Sequence, residues 1–267
     1  MKLCVLSGCG PTAVYMIERL RERFELDVLR VVWSSPKKHR AQIASRLARL
    51  TPAKALARAR GHLTDWQLTR LDRQVSEVLF DAPQPPSVSE FAQISSRQIN
   101  GEETESRLRA LAPDVLLVHG APILRANIFS IAGAAVNVHY GIAPHYRGTN
   151  ANFWPLFFRD FDNIGVTVHY IDEALDGGKL LALGYPALEP GDSEASIKAK
   201  CAVLATDLVV RFLEKTGGNA EGQQQEALGR LFRSRDRTPL HQLRLAFRHQ
   251  IPGRRIPHRF ERRTEFF

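Results

Sequence analysis

The hydrophobic pattern near the start of the chain alternates short apolar stretches with a stretch in which apolar residues return every three or four positions. Lys2–Leu6 and Leu26–Trp33 are predicted as strands, and Pro11–Phe24 is predicted as an amphipathic helix whose first turn suits a proline. Asp114–Val118 has the continuous apolar character of a strand buried on both faces. This order predicts a Rossmann-like α/β fold, with a mostly parallel sheet and helices on both faces.

The same periodicities continue along the chain. They predict helices over Lys37–Gln74, Gly101–Leu111, Asn150–Phe158 and Asp192–Leu213, and a short third strand over Val78–Phe80. Asp192 or Ser193 is suited to cap the last helix, and Gly217 begins the turn that ends it. We therefore predict one large domain over residues 1–217 and an arginine-rich C-terminal extension over residues 218–267.

The strand predicted over residues 135–139 ends in two polar side chains. Asn137 and His139 lie two positions apart, so both project from one face of the strand while Val138 projects from the other. A loop that contains glycine and proline follows at once. Such a strand end is either a pair of satisfied polar residues or part of a functional site, and the strand alone does not decide between them.

A second polar cluster lies between two further predicted strands, Val166–Ile171 and Lys179–Tyr185, the first of which is rich in β-branched and aromatic residues. Between these strands Asp176 precedes Gly177 and Gly178, a sequence that indicates a carboxylate held by a tight loop. The alternative is that Asp176 only caps backbone N–H groups of the turn. An Asn-x-His strand end followed by an Asp-Gly-Gly turn is more specific than either motif alone.

These motifs resemble those of the folate-dependent formyltransferase family, whose members transfer a formyl group from 10-formyltetrahydrofolate to an amine. The family's Asn-x-His pair is similar to Asn137 and His139, and the aspartate of its Asp-x-Gly turn is similar to Asp176. Its loop with a proline, a basic or aromatic pair and Arg-Gly is similar to Pro144–Gly148. The similarity covers most of the predicted large domain and is strongest from Asp114 to Tyr185.

The resemblance implies a formyltransferase catalytic domain over residues 1–217, with Asn137, His139 and Asp176 as its catalytic residues. It implies a folate pocket that includes Gly120, Ile123, Leu124, Asp172 and Gly177, and an acceptor site that includes Gly10, Thr12, Tyr146, Arg147 and Gly148. The implied co-substrate is 10-formyltetrahydrofolate, and no metal is implied. For the folate-pocket residues before Arg125, the alternative is an ordinary strand-to-helix turn in which Ile123 is buried.

Formyl transfer needs side chains of these types. An amine that attacks the formyl carbon forms a tetrahedral intermediate with a negatively charged oxygen, to which Asn137 offers an amide N–H and a protonated His139 offers a charged one. Loss of one such donor typically costs about 2.7–4 kcal/mol. A carboxylate beside the imidazole, for which Asp176 is the candidate, can move the proton from the amine to the leaving folate nitrogen. It would also raise the pKa of the histidine.

The first predicted turn suggests a rival function. Gly8, Gly10 and Ala13 match Gly-x-Gly-x-x-Ala, the relaxed dinucleotide-binding pattern. The second strand, however, ends at Trp33 without the acidic residue that binds a ribose, although two lysines that follow could hold a 2′-phosphate. We therefore favour a helix start that binds an anion over a nicotinamide site.

Composition limits the class of protein. Apolar residues make up 44% of the chain, which is typical of globular proteins. No apolar run approaches the ~20 residues that span a bilayer, and the N-terminus has the pattern of a strand rather than of a secretion signal. Cys4, Cys9 and Cys201 neither pair evenly nor have a metal-binding spacing, so we expect a cytoplasmic location.

The end of the chain has a different composition. Between Gly229 and Phe267, eleven arginines and three acidic residues account for nearly all of the formal net charge of +9. Such a charge attracts nucleic acid, an anionic membrane or a phosphorylated substrate. We favour a partly ordered, solvated extension after a loose link at Gly222–Gln225, or a role in binding a small molecule. About 50 residues are too few for the C-terminal barrel of tRNA formyltransferases, so a nucleic acid partner is possible but not favoured.

Three hypotheses follow. The first is transfer to a primary amine of a small acceptor that is phosphorylated or a sugar nucleotide, because Tyr140–Asn150 is closer to members outside the purine and tRNA branches. Gly10–Thr12 also departs from the Gly-Ser-Asn of purine-pathway members, which argues against glycinamide ribonucleotide. The second is a 10-formyltetrahydrofolate hydrolase. The third is a non-catalytic anion-binding protein, against which the intact Asn137, His139 and Asp176 argue.

Overall fold

The structure of the chain is a computed structural model that describes residues 1–33, 51–87, 91–226, 229–250 and 255–267. The strands are β1 (Leu3–Ser7), β2 (Leu26–Val32), β3 (Ala92–Ser95), β4 (Val115–His119), β5 (Ala134–His139), β6 (Tyr146–Gly148), β7 (Val166–Tyr170), β8 (Leu180–Tyr185), β9 (Arg230–Phe232) and β10 (Arg262–Glu265). The α-helices are α1 (Pro11–Arg21), α2 (Pro52–Phe80), α3 (Glu102–Leu111), α4 (Ala126–Phe129), α5 (Phe153–Phe158), α6 (Glu194–Thr216) and α7 (Pro239–Gln250).

Among the described residues, eight strands form one sheet at the centre of the fold, in the order β10-β8-β7-β5-β4-β1-β2-β3. Neighbouring strands from β3 to β5 are parallel, and β7, β8 and β10 continue the sheet with antiparallel pairing. The predicted Rossmann-like, mostly parallel sheet is therefore confirmed. The carboxyl ends of the parallel strands meet at one edge, where ligands bind in open α/β sheets.

Both faces of the sheet are covered, as the alternation of side chains along β1 makes clear. Leu3 and Val5 lie in a buried cluster with side chains of α1 and α6. Cys4 and Leu6 lie in a second buried cluster, with Leu108 of α3. A strand that is apolar on both faces is typical of a parallel sheet with helices on both sides, which explains the continuous apolar run in its sequence.

One predicted strand is wrong. Val78–Phe80 form the end of α2, a helix of 29 residues. Upstream in this helix, Leu71 and Val75 pack against Ala195 and Ala199 of α6. Because tertiary packing of one face stabilises a helix along its length, Val78 and Phe80 stay helical although both residue types favour strands. The third strand of the sheet is β3 instead.

Two other predicted helices can be compared with the structure. The cap of α6 is Ser193, whose side chain accepts a hydrogen bond from the N–H of Ser196, and Gly217 ends this helix in the left-handed conformation. The helix predicted over Asn150–Phe158 begins only at Phe153. The part of the basic segment predicted to be helical that precedes residue 51 lies outside the described residues.

Residues beyond 217 are built into the same fold. β9 pairs with β6 in parallel, and β10 extends the main sheet by antiparallel pairing with β8. Arg237 is buried and forms a bidentate ion pair with Glu194 at the start of α6. The backbone of these residues is therefore ordered against the large domain, while many of their side chains, such as those of Arg230 and Arg262, are exposed. The division at residue 217 stays a prediction.

The loose link predicted at Gly222–Gln225 is also wrong. The N–H of Leu180 donates to the carbonyl of Gln223 at 2.7 Å, and the N–H of Gln223 donates to the carbonyl of Leu180 at 2.8 Å. Gln225 is buried. This segment is therefore fixed against the start of β8.

Candidate active site

Four polar side chains share one face of the sheet where β5 and β7 lie side by side. The antiparallel register places Asn137 opposite His169 and His139 opposite Thr167. Side chains of directly opposed residues project from the same face of a sheet. A threonine and a second histidine therefore accompany the predicted pair, and the side chains of His139, Thr167 and His169 are buried.

Asp176 reaches this face from the loop between β7 and β8. Its Oδ2 accepts a hydrogen bond of 2.6 Å from the N–H of Gly148. Its Oδ1 lies 3.7 Å from His139 Nδ1, 3.7 Å from His169 Nε2 and 3.5 Å from Asn137 Nδ2. One carboxylate oxygen thus faces nitrogen atoms of three side chains, and the three residues predicted to be catalytic lie in one cluster.

The backbone around Asp176 is constrained. Asp176 has a left-handed φ of 52°, which costs free energy in a residue that carries a side chain. A Cβ atom on Gly178 would lie 1.9 Å from the carbonyl oxygen of Tyr170, so glycine is required there. Gly148, whose N–H holds the carboxylate, has a φ of 87°. The Asp-Gly-Gly and Arg-Gly motifs therefore serve the backbone geometry that positions the carboxylate.

Hydrogen bonding fixes the direction of the His139 ring. Its Nε2 donates to the carbonyl of Tyr146 at 2.7 Å, which leaves Nδ1 facing Asp176. Burial lowers the pKa of His139, whereas Asp176 and the Tyr146 carbonyl act in the opposite direction. Asp176 thus raises the pKa of His139, as predicted from the sequence. Burial lowers this pKa by more, so the ring is neutral at pH 7.

The charge of Asp176 is stabilised by its neighbours. Burial opposes ionisation of the carboxyl group, but the N–H of Gly148 and the imidazoles of His139 and His169, which attract the carboxylate when they are protonated at low pH, outweigh it and hold the pKa of Asp176 well below its usual range. At neutral pH the cluster therefore contains an ionised carboxylate beside a neutral His139. A proton that reaches Nδ1 of this histidine would face that carboxylate directly.

His169 is a candidate that sequence analysis did not single out. Its Nδ1 donates to the carbonyl of Tyr170 at 2.8 Å, and its Nε2 accepts a hydrogen bond of 3.1 Å from Asn137 Nδ2. The only sequence signal was its place in the strand predicted over Val166–Ile171. The face that it shares with Asn137 depends on the pairing of β7 with β5, which no residue spacing predicts.

Two residues predicted for the acceptor site, Tyr146 and Arg147, lie in β6 beside the cluster. Tyr146 is buried, its hydroxyl donates to Asp160 Oδ2 at 2.9 Å, and its ring stacks on Phe232. Arg147 Nε donates to the carbonyl of Leu175 at 2.8 Å, directly before Asp176 in the chain. Both side chains bind protein groups, and their contact with an acceptor stays a prediction.

The other predicted acceptor residues lie at the start of α1. Gly10 is exposed and is the N-cap of this helix. Thr12 is buried, and its hydroxyl donates to His119 Nε2 at 3.0 Å, since His119 Nδ1 donates to the carbonyl of Val138 at 3.1 Å. Gly10 is therefore open to a ligand, whereas the Thr12 hydroxyl is engaged with the histidine at the end of β4.

His119 gives the fold a specific pH dependence. Burial lowers its pKa from 6.5 to about 4, so between these values the unfolded chain binds a proton that the folded chain does not. The free energy of unfolding therefore falls as the pH falls through this window, by about 2 kcal/mol from His119 alone at pH 5. Urea denaturation at pH 7 and pH 5 should find this extra loss in the wild type and not in His119→Gln. Equal losses in both chains would contradict it.

Comparison with known proteins identifies the family. The family described as formyl transferase matches residues 1–213. The chain belongs to this family. A methionyl-tRNA formyltransferase from Halorhodospira halophila is 33% identical over 115 residues, which are 42% of this chain and 37% of that protein. The match thus spans well under half of the length of this relative.

Two solved structures share the fold of this formyl transferase family member. A sugar N-formyltransferase from Shewanella has a TM-score of 0.56 at 13% identity, over 88% of this chain and 78% of that chain. HypX from Aquifex aeolicus in complex with tetrahydrofolic acid has a TM-score of 0.52 at 15% identity, over 88% of this chain and 30% of that chain. At such identities the likeness concerns the fold alone.

The residues predicted for the folate pocket of this family member differ in exposure. Ile123 is 66% exposed, which is inconsistent with a buried turn residue, and Gly120 is exposed with a left-handed φ of 63°. Leu124 is buried in the core. In the loop before β8, Asp172 is exposed and Gly177 is buried. Gly120, Ile123 and Asp172 are thus accessible to a ligand, and folate contact stays a prediction for all five.

Neither a metal site nor a membrane span is found in the part of the chain that the structure describes. In residues 1–33, 51–87, 91–226, 229–250 and 255–267, no three His, Cys, Asp or Glu side chains are arranged to hold a metal ion. Within the same ranges, no helix is both long and apolar enough to cross a bilayer. A metal-free site stays a prediction.

Proposed function

We propose that the chain transfers a formyl group from 10-formyltetrahydrofolate to a primary amine of a small acceptor. The observation that carries this proposal is the convergence of Asn137, His139 and Asp176 on one face of the sheet, in a member of the formyl transferase family. The complex of HypX with tetrahydrofolic acid, which shares the fold, supports a folate as the formyl donor.

In this proposal, His139 and Asp176 move the protons. The attacking amine must lose a proton, and the folate nitrogen that leaves must gain one. Neutral His139 presents an unprotonated Nδ1 at 3.7 Å from an ionised Asp176, so the pair can take up the amine proton, directly or through one water, and pass it to the folate nitrogen. Asp176 stabilises the charged imidazole while it holds the proton.

Asn137 and the protonated His139 stabilise the negative oxygen of the tetrahedral intermediate. Asn137 Nδ2 donates one hydrogen to His169, while the other faces Asp176 Oδ1 at 3.5 Å, the long limit of a hydrogen bond. A formyl oxygen that gains negative charge can take this second hydrogen in a shorter, charge-assisted bond. The scheme needs no covalent enzyme intermediate.

We propose an acceptor that is phosphorylated or a sugar nucleotide. Part of the positive charge of the extension is engaged within the protein, since Arg237 pairs with Glu194, and Arg263 pairs with Asp207. The electrostatic attraction to a polyanion is thereby weaker than the composition indicates. The sugar N-formyltransferase from Shewanella, which shares the fold, supports the same choice. The relative from Halorhodospira halophila makes tRNA the alternative acceptor.

The test is an incubation of the whole chain with 10-formyltetrahydrofolate, with and without amine acceptors. We expect tetrahydrofolate to form at a catalytic rate only when an amino sugar nucleotide or another small phosphorylated amine is added. Turnover with methionyl-tRNA alone would replace the proposed acceptor. Catalytic release of formate without an amine would favour the hydrolase, and absence of folate binding would favour a non-catalytic anion-binding protein.

A further inference from the structure

A side chain from outside the matched family region touches the loop that carries Asp176. The family match ends at residue 213, and Gln225 follows it in the segment that pairs with the start of β8. Gln225 is buried, and its Nε2 donates to the carbonyl of Asp176 at 3.0 Å and to the carbonyl of Gly178 at 2.7 Å. One amide group thus binds two backbone carbonyls of the loop, one on each side of Gly177.

The loop needs such restraint. Asp176 has a left-handed φ of 52°, and a strained conformation persists only where its surroundings fix it. Two carbonyl acceptors also determine which end of the Gln225 amide faces the loop, because only the nitrogen can donate to both. Within the loop itself, the N–H of Gly177 donates to the carbonyl of Ala174 at 2.9 Å. Gln225 adds two hydrogen bonds from a different part of the chain.

We propose that Gln225 is a positioning residue for formyl transfer, which holds the backbone of Asp176 so that its Oδ1 faces His139 and His169. The inference rests on the proposed function. It assigns a role in the site to the segment after the family region. Its two neighbours, Gln223 and Gln224, have exposed side chains, so burial distinguishes Gln225 among three identical residues.

The experiment compares Gln225→Met with Gln224→Met. Both substitutions remove an amide from a side chain of nearly constant length, but only the first removes hydrogen bonds to the loop. We expect Gln225→Met to lower kcat at least about tenfold, with KM for 10-formyltetrahydrofolate changed less than about threefold, since misplacement of a catalytic group lowers the rate steeply. Gln224→Met should retain the wild-type constants. Wild-type kcat in Gln225→Met would overturn the proposal.

A double-mutant cycle separates positioning from a general defect. If Gln225 acts through Asp176, then Gln225→Met in the Asp176→Asn background should change the residual kcat less than about twofold. An equal loss in both backgrounds would overturn the proposed route. If Gln225→Met does not fold, as judged by its thermal transition, Gln225→Glu keeps the shape of the side chain while it replaces the donor, and we expect the same loss.

A readout without turnover distinguishes this proposal from the proposed function. Asp176 raises the pKa of His139, so displacement of the carboxylate should lower that pKa in Gln225→Met and leave it unchanged in Gln224→Met. Titration of the imidazole resonances by NMR measures this shift. A wild-type chain without formyl transfer would contradict the proposed function, whereas an unchanged His139 titration in Gln225→Met would contradict the role of Gln225.

Discussion

Replacing Asp176 by asparagine is expected to lower the kcat of formyl transfer at least about 100-fold, while tetrahydrofolate still binds. The substitution keeps the size of the side chain and an acceptor for the N–H of Gly148. It removes the charge that faces His139 Nδ1 at 3.7 Å, so the imidazole loses the group that stabilises its protonated form. Steady-state kinetics at saturating amine, together with calorimetric binding of tetrahydrofolate, measure the two effects separately.

The pH dependence of the wild type adds a check on this role. Because the neighbours of Asp176 hold its pKa below the usual value of 3.8, the carboxylate stays ionised as the pH falls from 7 to 5. A loss of kcat above pH 5 must therefore come from another group.

The matched control for Asp176→Asn is Glu173→Gln, an exposed change in the same loop, which should retain the wild-type rate. If Asp176→Asn kept more than a tenth of the wild-type kcat, another group would move the proton.

The central part of the site was predictable because its residues are spaced by the geometry of strands. Asn137 and His139 share a face through the two-residue repeat of a strand, and the glycines around Asp176 signal a tight loop. The sheet predicted from buried-type strands such as β4 is confirmed. Each of these features is determined by a few consecutive residues, so the local sequence pattern and backbone sterics are enough to predict it.

The remaining features depend on contacts between distant segments. His169 reaches Asn137 only because β7 pairs antiparallel with β5. The hydrophobic pattern does not predict which strands pair or whether they run parallel or antiparallel. Three consecutive glutamines are chemically identical, yet only Gln225 is buried, because Gln223 pairs with Leu180 and fixes the register. The strand predicted over Val78–Phe80 is wrong for the same reason, because these residues continue a helix that packs against α6.

The number of arginines in the extension overstates the charge that is free to bind a ligand, because composition does not show which arginines form ion pairs. Charge counted along a sequence describes an unfolded chain, in which each arginine is free to bind a polyanion. In the fold, Arg237 is buried against Glu194, and β10 brings Arg263 to Asp207 at the edge of the sheet. The partners of these arginines come from α6, far away in sequence, so composition alone overstated the charge available to a ligand.

The second large effect concerns His139. His139→Ala is expected to lower kcat at least about 100-fold with tetrahydrofolate binding retained, because it removes both the proton carrier and a donor to the developing oxyanion. It also leaves the carbonyl of Tyr146 without the donor that binds it at 2.7 Å. His139→Gln is the companion variant, since its amide can still donate to that carbonyl while it cannot carry a proton. Rapid-quench measurement of a single turnover would assign the loss to chemistry rather than to product release.

The pair of variants separates chemistry from loop structure. If the ring matters only as a support for the Tyr146 carbonyl, His139→Gln should recover most of the wild-type rate, and the assignment of proton transfer to His139 would be wrong. If Nδ1 is the proton carrier, both variants should be impaired alike, whereas His258→Ala, at an exposed histidine of the extension, should not be. His139 also lowers the pKa of Asp176, so its loss should raise that pKa toward the usual value. Protonation of Asp176 would then begin at a higher pH in the variants than in the wild type. The contact between His139 and Asp176 therefore links the expected effects of substitutions at the two residues.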